Sequence, residues 1–231
     1  MCPKWIKTAL LSLAFVAYVF GAPILLIWLS RDWRWVQGWI FYGTFTSLFA
    51  ISLIWMLLKD PALLAERMRW PRRGEESLAD MAILFAIKVD AIAWLIVLAL
   101  DRRFGWTPRL PLWTAACGAV LLAAGCFLML RSITDNTFLS QVVRIQSDRG
   151  QRVVSTGVYG FVRHPMYLGA SLLLVGGALL VGSAAGLVVG AIMTCLLVVR
   201  IFGEERVLVR GLEGYIAYRE KTRYRLIPGV W

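Results

Sequence analysis

The chain has 231 residues, 59% of them hydrophobic and only 17% charged, with a mean hydropathy of +0.69. That is too apolar for one soluble core, and the apolar residues fall in runs long enough to cross about 30 Å of hydrocarbon, which points to a polytopic, all-α membrane protein. The net charge of +11 does not imply nucleic acid, because the Lys and Arg residues sit in the gaps between apolar runs rather than in a basic-aromatic module.

In chain order, a short basic amino end with Lys4 and Lys7 precedes an apolar run over residues 8–29. This run is too long for a signal-peptide core and no small-x-small site closes it, so it reads as a retained first span. A second span is expected over residues 35–58, with Trp33, Trp35 and Trp39 as interfacial anchors at its outer edge. Residues 59–77 are polar and carry Lys59, Arg67, Arg69, Arg72 and Arg73; Pro61 and Pro71 bracket a short helix expected on the membrane surface. The third and fourth spans are expected over 78–100 and 112–130, which completes an amino-terminal region of four spans over residues 1–130.

Residues 131–163 are polar again. Within them, 142–145 and 152–155 flank Ser147-Asp148-Arg149-Gly150 and read as a small β-hairpin or ordered loop outside the bilayer. Residues 166–202 would make a single helix of about 55 Å, far more than a bilayer needs. The run Gly182-Ser183-Ala184-Ala185-Gly186 breaks it into a helical hairpin, in which Gly169, Gly176, Gly177 and Gly190 are expected to let the two arms approach closely. The total is five to six transmembrane helices. With the amino terminus inside, nineteen of the twenty-five Lys and Arg residues fall on the inner side, so both termini and the 131–163 segment are expected in the cytoplasm. Cys117 and Cys126 point to opposite faces of one helix and there is one His, so neither a disulfide framework nor a metal site is expected.

Three polar constellations stand out. Lys88 and Asp90 fall within the third span, where charge is costly; two positions apart they face different sides, and they are expected to serve as interhelical glue. His164, the sole histidine, precedes Pro165 in Arg163-His164-Pro165, where it is pushed out of helical geometry onto a bend at the membrane surface. By itself this is also what an ordinary helix start with a surface histidine would look like. Glu204-Glu205 closes the hairpin and is expected to begin an amphipathic helix with Val207, Leu208, Leu212, Tyr215 and Ile216 on one face. A carboxylate pair at a helix start has a plain explanation, complementing the dipole. The hairpin nonetheless returns both of its ends to one membrane face, so His164 and Glu204 should lie close together, able to flank a cationic ligand.

Arg163-His164-Pro165-x-Tyr167-x-Gly169, then Glu204-Glu205, Tyr215-x-x-Tyr218 and Leu226-Ile227-Pro228 resemble the isoprenylcysteine carboxyl methyltransferase and phospholipid methyltransferase superfamily. The stretch from Asn136-Thr137-Phe138 to Arg144-Ile145-Gln146 is similar to its bacterial members of unassigned substrate. The resemblance covers about the last hundred residues and implies a catalytic region over 131–231 with a cytosolic pocket for S-adenosylmethionine. It implies that Tyr159, His164, Pro165, Tyr167, Gly169, Glu204 and Glu205 hold this cofactor. It also implies a lipid-like or isoprenoid acceptor admitted from the bilayer, and a place in a bacterial inner membrane. The tail has Arg223-Tyr224-Arg225 where the eukaryotic pattern has Val-Pro, which argues against a prenylated protein as acceptor.

The chemistry is compatible with these residues. A carboxylate acceptor is already ionised at neutral pH and needs positioning rather than a base; Arg163, Arg223 and Arg225 are the candidates for that. An amine acceptor would need a carboxylate or tyrosine to take its proton, and a small thiol is a third possibility. A sterol-type membrane reductase using NADPH, and a non-enzymatic transporter or scaffold, are the competing classes.

Overall fold

The computed structural model describes residues 21–69, 78–108 and 110–231. Eight α-helices are found there: α1 (Ala22–Ser30), α2 (Val36–Lys59), α3 (Pro61–Arg67), α4 (Leu78–Phe104), α5 (Leu112–Asp135), α6 (Pro165–Val181), α7 (Ala184–Gly211) and α8 (Tyr215–Lys221). Four of them, α2, α4, α5 and α7, are long and apolar enough to cross a membrane. The α6 helix, with 17 residues, reaches only about 25 Å at 1.5 Å per residue. Most of the expected first span, residues 8–20, lies outside the described residues, and α1 is its carboxyl-terminal part. Large apolar side chains such as Leu58, Val120, Phe127, Val188 and Ile192 face outward. Outward apolar surface on this scale identifies the surrounding solvent as lipid, and the protein as a polytopic helical membrane protein.

Local chemistry sets the helix limits. Asp60 caps α3 by accepting a hydrogen bond from the Leu63 amide at 2.9 Å, with Pro61 as the first helical residue. The break in the long carboxyl-terminal apolar run falls at the expected place. Gly182 ends α6 at φ 74°, and the Ser183 hydroxyl caps α7 by accepting from the Gly186 amide at 2.8 Å. Only glycine takes this left-handed conformation without strain, so the turn between the arms needs just two residues.

The glycines of α6 do not serve the hairpin as expected. A Cβ on Gly169 would lie 3.0 Å from the Gly125 carbonyl oxygen, and one on Gly125 2.7 Å from that of Gly169. Gly176 and Gly118 oppose each other in the same reciprocal way. Two glycines seven residues apart on each helix therefore bring the backbones of α5 and α6 into direct contact. Gly177 instead receives the ring edges of Phe41 and Trp94, and of the four expected glycines only Gly190, whose Cβ would meet Leu174 at 3.3 Å, serves the contact between the two arms. Around this seam the buried residues Phe41, Tyr42, Trp94, Leu98, Leu122, Leu174 and Met193 form the core. Its polar atoms are paired: the Trp94 indole donates to the Gly186 carbonyl at 2.8 Å and the Tyr42 hydroxyl to that of Leu95 at 3.0 Å.

One expectation is settled and one is corrected. First, no strand is found among the described residues, and of the two readings of the segment around 147–150 it is the ordered loop that holds, with a 3-10 turn over Ser147–Arg149. Its backbone groups close turns and meet side chains rather than a ladder: the Gln146 carbonyl accepts from the backbone amides of Arg149 and Gln151 at 2.9 and 3.2 Å, the Gln146 backbone amide donates to the Gln151 side-chain oxygen at 2.7 Å, and the Gln146 side chain donates to the Phe138 carbonyl at 2.6 Å. Second, Glu204-Glu205 does not start a helix. The α7 helix runs unbroken to Gly211, so the pair lies near its end, where the macrodipole disfavours negative charge. A dipole-complementing role is thereby removed, and the amphipathic segment is split between the end of α7 and the separate α8.

Candidate functional site

A cavity of about 340 Å³ opens beneath the loop that joins α5 to α6. Its walls are the α6 start (Arg163 to Tyr167), one ridge of α7 (Leu197, Arg200, Glu204, Leu208), the tyrosines of α8 and a ridge of α4 (Leu84, Ile87, Lys88). The loop roofs it and is tied down at its far side. Arg144 bonds both carboxylate oxygens of Glu66 on α3, at 2.9 and 2.8 Å, and its other arm reaches Asp148 at 2.7 Å. The Thr137 hydroxyl adds a hydrogen bond to Asp60.

The bend before α6 is fixed from the carboxyl-terminal side. The amides of Arg163 and His164 donate to the carbonyls of Tyr224 and Arg225 at 3.0 and 2.9 Å. Glu205, only 5% exposed, accepts from Arg163 Nε at 2.8 Å and Arg225 Nε at 2.9 Å, and lies 3.3 Å from His164 Nε2. Arg163 uses its remaining reach on the carbonyls of Thr222 and Arg223, at 2.8 and 2.6 Å. Glu205 is thus the clamp that holds three chain segments together. A buried carboxylate between two guanidiniums is tolerable because every charge has a bonded partner.

Glu204, one residue earlier and about 100° around the helix, faces the cavity instead. It accepts from the Tyr167 hydroxyl at 2.8 Å, and Arg200, one turn away, donates to that same hydroxyl at 3.3 Å. Arg200 also holds the roof through the Gln141 carbonyl. The His164 and Tyr167 rings stack with centroids 5.7 Å apart. The Tyr218 hydroxyl donates to the Tyr159 carbonyl at 2.8 Å, and the Tyr159 hydroxyl to the Ser132 carbonyl at 3.3 Å. The Tyr215 hydroxyl, in contrast, is buried with no hydrogen-bond partner among the described residues, although its residue lines the cavity. An orphan hydroxyl at a cavity wall is a group left for a ligand to satisfy. Burial pushes the hydroxyls of Tyr159, Tyr215 and Tyr218 well above their ordinary range, so they are hydrogen-bond donors here rather than bases.

Of the residues expected to hold a cofactor, Tyr159, His164, Pro165, Tyr167 and Glu204 line the cavity, whereas Glu205 stands behind it and Gly169 does not reach it. Gly169 is needed for the α5–α6 seam instead. Of the three arginines expected to position an acceptor, Arg163 lines the cavity but is bonded to Glu205, whereas Arg223 and Arg225 do not line it. Arg225 is bonded to Glu205 and packs over the rings of Phe202 and Trp231. Lys88, expected to serve as interhelical glue within the third span, lines the cavity. Arg200 was overlooked: its signal is a cation in an apolar helix, one turn before Glu204, so that the two share a face.

Residues 113–213 match the phospholipid methyltransferase family model. The interval takes in the roof, the Arg163-His164-Pro165 bend, the hairpin and the glutamate pair, and so contains most of the cavity. This region is thus similar to phospholipid methyltransferases, and the match supports a membrane methyltransferase in general terms. No curated protein is significantly similar to the chain.

Proposed function

We propose that the protein is an integral-membrane, S-adenosylmethionine-dependent methyltransferase acting on a lipid-like acceptor, with O-methylation of a carboxylate favoured. The observation that carries this reading is the composition of one cavity wall. Glu204 presents an anionic oxygen for the cofactor's ammonium, Tyr167 and His164 present stacked rings, and Tyr215 presents an unsatisfied hydroxyl. The cavity's size falls within the roughly 300–1,000 Å³ usual for small-ligand sites. These residues fit a positively charged ligand with polar arms.

When bound, the cofactor supplies an electrophilic methyl group on a sulfonium: the acceptor oxygen forms the new bond to carbon while the carbon–sulfur pair leaves with sulfur. No proton moves in that step, so the protein's task is alignment and exclusion of water. Glu205, Arg163 and Arg225 hold the bend rigid, and the Arg144–Glu66 clamp keeps the roof in place. The protonated tyrosines cannot take a proton, which leaves Glu204 as the only carboxylate on the cavity wall among the described residues for an amine acceptor. That favours the carboxylate. The inward excess of positive charge supports an orientation with both termini and the cavity mouth in the cytoplasm, and the resemblance to bacterial members of the superfamily supports a bacterial inner membrane.

Calorimetry on the purified protein in neutral detergent tests the reading. S-adenosylmethionine and its demethylated product should bind at micromolar strength and NADPH not measurably. Binding of NADPH without binding of the methyl donor would transfer the site to a reductase.

A further inference from the structure

One cation on the cavity wall comes from the short surface helix rather than from the carboxyl-terminal region. Arg67 ends α3 and lines the cavity. Helical spacing sets the face it occupies: Leu63 and Leu64, four and three positions earlier, lie on the same side. Leu63 is fully buried and packs with Met56 and Ile133, whereas Ala62 and Ala65 on the opposite side are exposed. The helix is pinned in that orientation, since Thr137 bonds Asp60 at one end and Arg144 bonds Glu66 at the other. Arg67 is therefore aimed inward, and its Nη1 donates to the Leu139 carbonyl beneath the roof at 3.4 Å. That bond uses one of the five N–H groups of the guanidinium and goes to a neutral acceptor. Among the described residues no carboxylate acts on Arg67. Burial holds its guanidinium below the ordinary range, opposed only by the nearby oxygens of Tyr159 and Tyr167, which also line the cavity.

We infer that Arg67 binds the head of the acceptor, the carboxylate of a long-chain acid whose hydrocarbon lies along Leu139 and Met166. Those two side chains line the cavity and belong to the apolar cluster around Leu63, so the wall beside the guanidinium suits a hydrocarbon chain. A desolvated cation with one neutral partner is costly until an anion joins it. A role confined to the α3 dipole or to lipid phosphates would be met from the wet face of the helix, without turning the side chain inward. The guanidinium fork matches a carboxylate, and each carboxylate oxygen has two lone pairs, so one pair stays available to the methyl carbon. This rests on the methyltransferase reading for the identity of the reaction, but the anion subsite itself is a property of α3 and the roof.

The test uses the full chain in neutral detergent and two probes of equal chain length, oleate and oleyl alcohol. Equilibrium dialysis, corrected for uptake by protein-free micelles, should show oleate bound about tenfold or more tighter than the alcohol, as a hydrogen bond between charged groups provides. Arg67→Gln and Arg67→Met should bind the two probes equally, with the alcohol held as in wild type. Arg67→Lys, which keeps the charge but not the fork, should retain part of the preference. Affinity for S-adenosylmethionine should stay at the wild-type value in every variant, and denaturation midpoints show that each one folds. Equal binding of both probes by the wild type would overturn the inference, as would an unchanged oleate preference in Arg67→Gln. A parallel loss of oleate and alcohol would make Arg67 a prop for the roof, and a loss of S-adenosylmethionine binding would make it a ligand of the cofactor's own carboxylate; either result overturns the acceptor role. An Arg67-dependent oleate preference in a protein that binds no methyl donor would sink the methyltransferase reading while leaving the anion subsite standing.

Discussion

The two adjacent glutamates should fail in opposite ways, and the difference can be worked from their surroundings. In Glu205→Gln the side-chain shape is kept but the charge between Arg163 and Arg225 is lost. The Arg163 and Glu205 side chains are 4% and 7% exposed, so the cation left behind is buried; removing one partner of such a pair costs about 3–5 kcal/mol. Arg225 is 26% exposed and regains water, adding little. Gln still offers Arg163 one oxygen, so the lower end of that range, about 3 kcal/mol, is expected for stability. Glu204→Gln is another matter. Glu204 is 26% exposed and accepts one bond, from Tyr167, which an amide oxygen can also accept, so stability should fall by about 1 kcal/mol or less. If Glu204 bonds the cofactor's ammonium, affinity should drop by about 2–5 kcal/mol, roughly thirtyfold or more. Denaturation in mixed micelles gives the first quantity and calorimetry with S-adenosylmethionine the second. Wild-type affinity in Glu204→Gln, or a Glu205→Gln protein of undiminished stability, would refute this division of roles.

Tyr215→Phe should leave stability unchanged or slightly raised, because it deletes a buried hydroxyl that has no partner among the described residues, yet it should weaken ligand binding by about 0.5–1.5 kcal/mol; equal affinity by calorimetry would show that the hydroxyl faces no ligand. Gly176→Val should cost about 1–3 kcal/mol or more by prising α5 from α6, since its Cβ would lie 2.8 Å from the Gly118 carbonyl oxygen. Gly43→Ala, with nothing within 4 Å, is the matched control, and a denaturation midpoint equal for both would contradict the seam. Arg144 holds the Glu66 carboxyl below its ordinary range, against the opposing effect of burial. Because the folded-state value is depressed, the clamp's contribution is complete above the unfolded value near 4.3 and is lost as pH falls through the folded one. Stability should therefore decline with acidification more steeply in wild type than in Glu66→Gln, and parallel curves would remove Glu66 from the account.

Hydrophobic run length and charge placement were enough to determine the membrane class, the positions of the second, third and fourth spans and the hairpin turn at Gly182, because bilayer thickness and glycine's backbone freedom are local, one-dimensional constraints. Chain topology was also enough to bring His164 and Glu204 to one place, since a hairpin must return to the face it left. What lay beyond the sequence were the partnerships of side chains that could have gone either way. Arg163 and Arg225 read equally well as acceptor ligands or as counter-ions, and only packing shows that Glu205 engages both. Gly169 sits inside a motif with a ligand-binding resemblance, yet the helix facing it, α5, decides its use. Lys88 could not be placed at the cavity from sequence, because position along a single span says nothing about which neighbour it faces; the packing of α4 on α7, with Trp94 at Gly186 and Asp80 at Gly203, puts it on the cavity wall. The roof segment stayed open between a strand pair and an ordered loop for the same physical reason: β-branched residues favour a ladder only where a partner strand is free, and here the Gln146, Arg144 and Arg149 side chains bind the backbone and the neighbouring helix first.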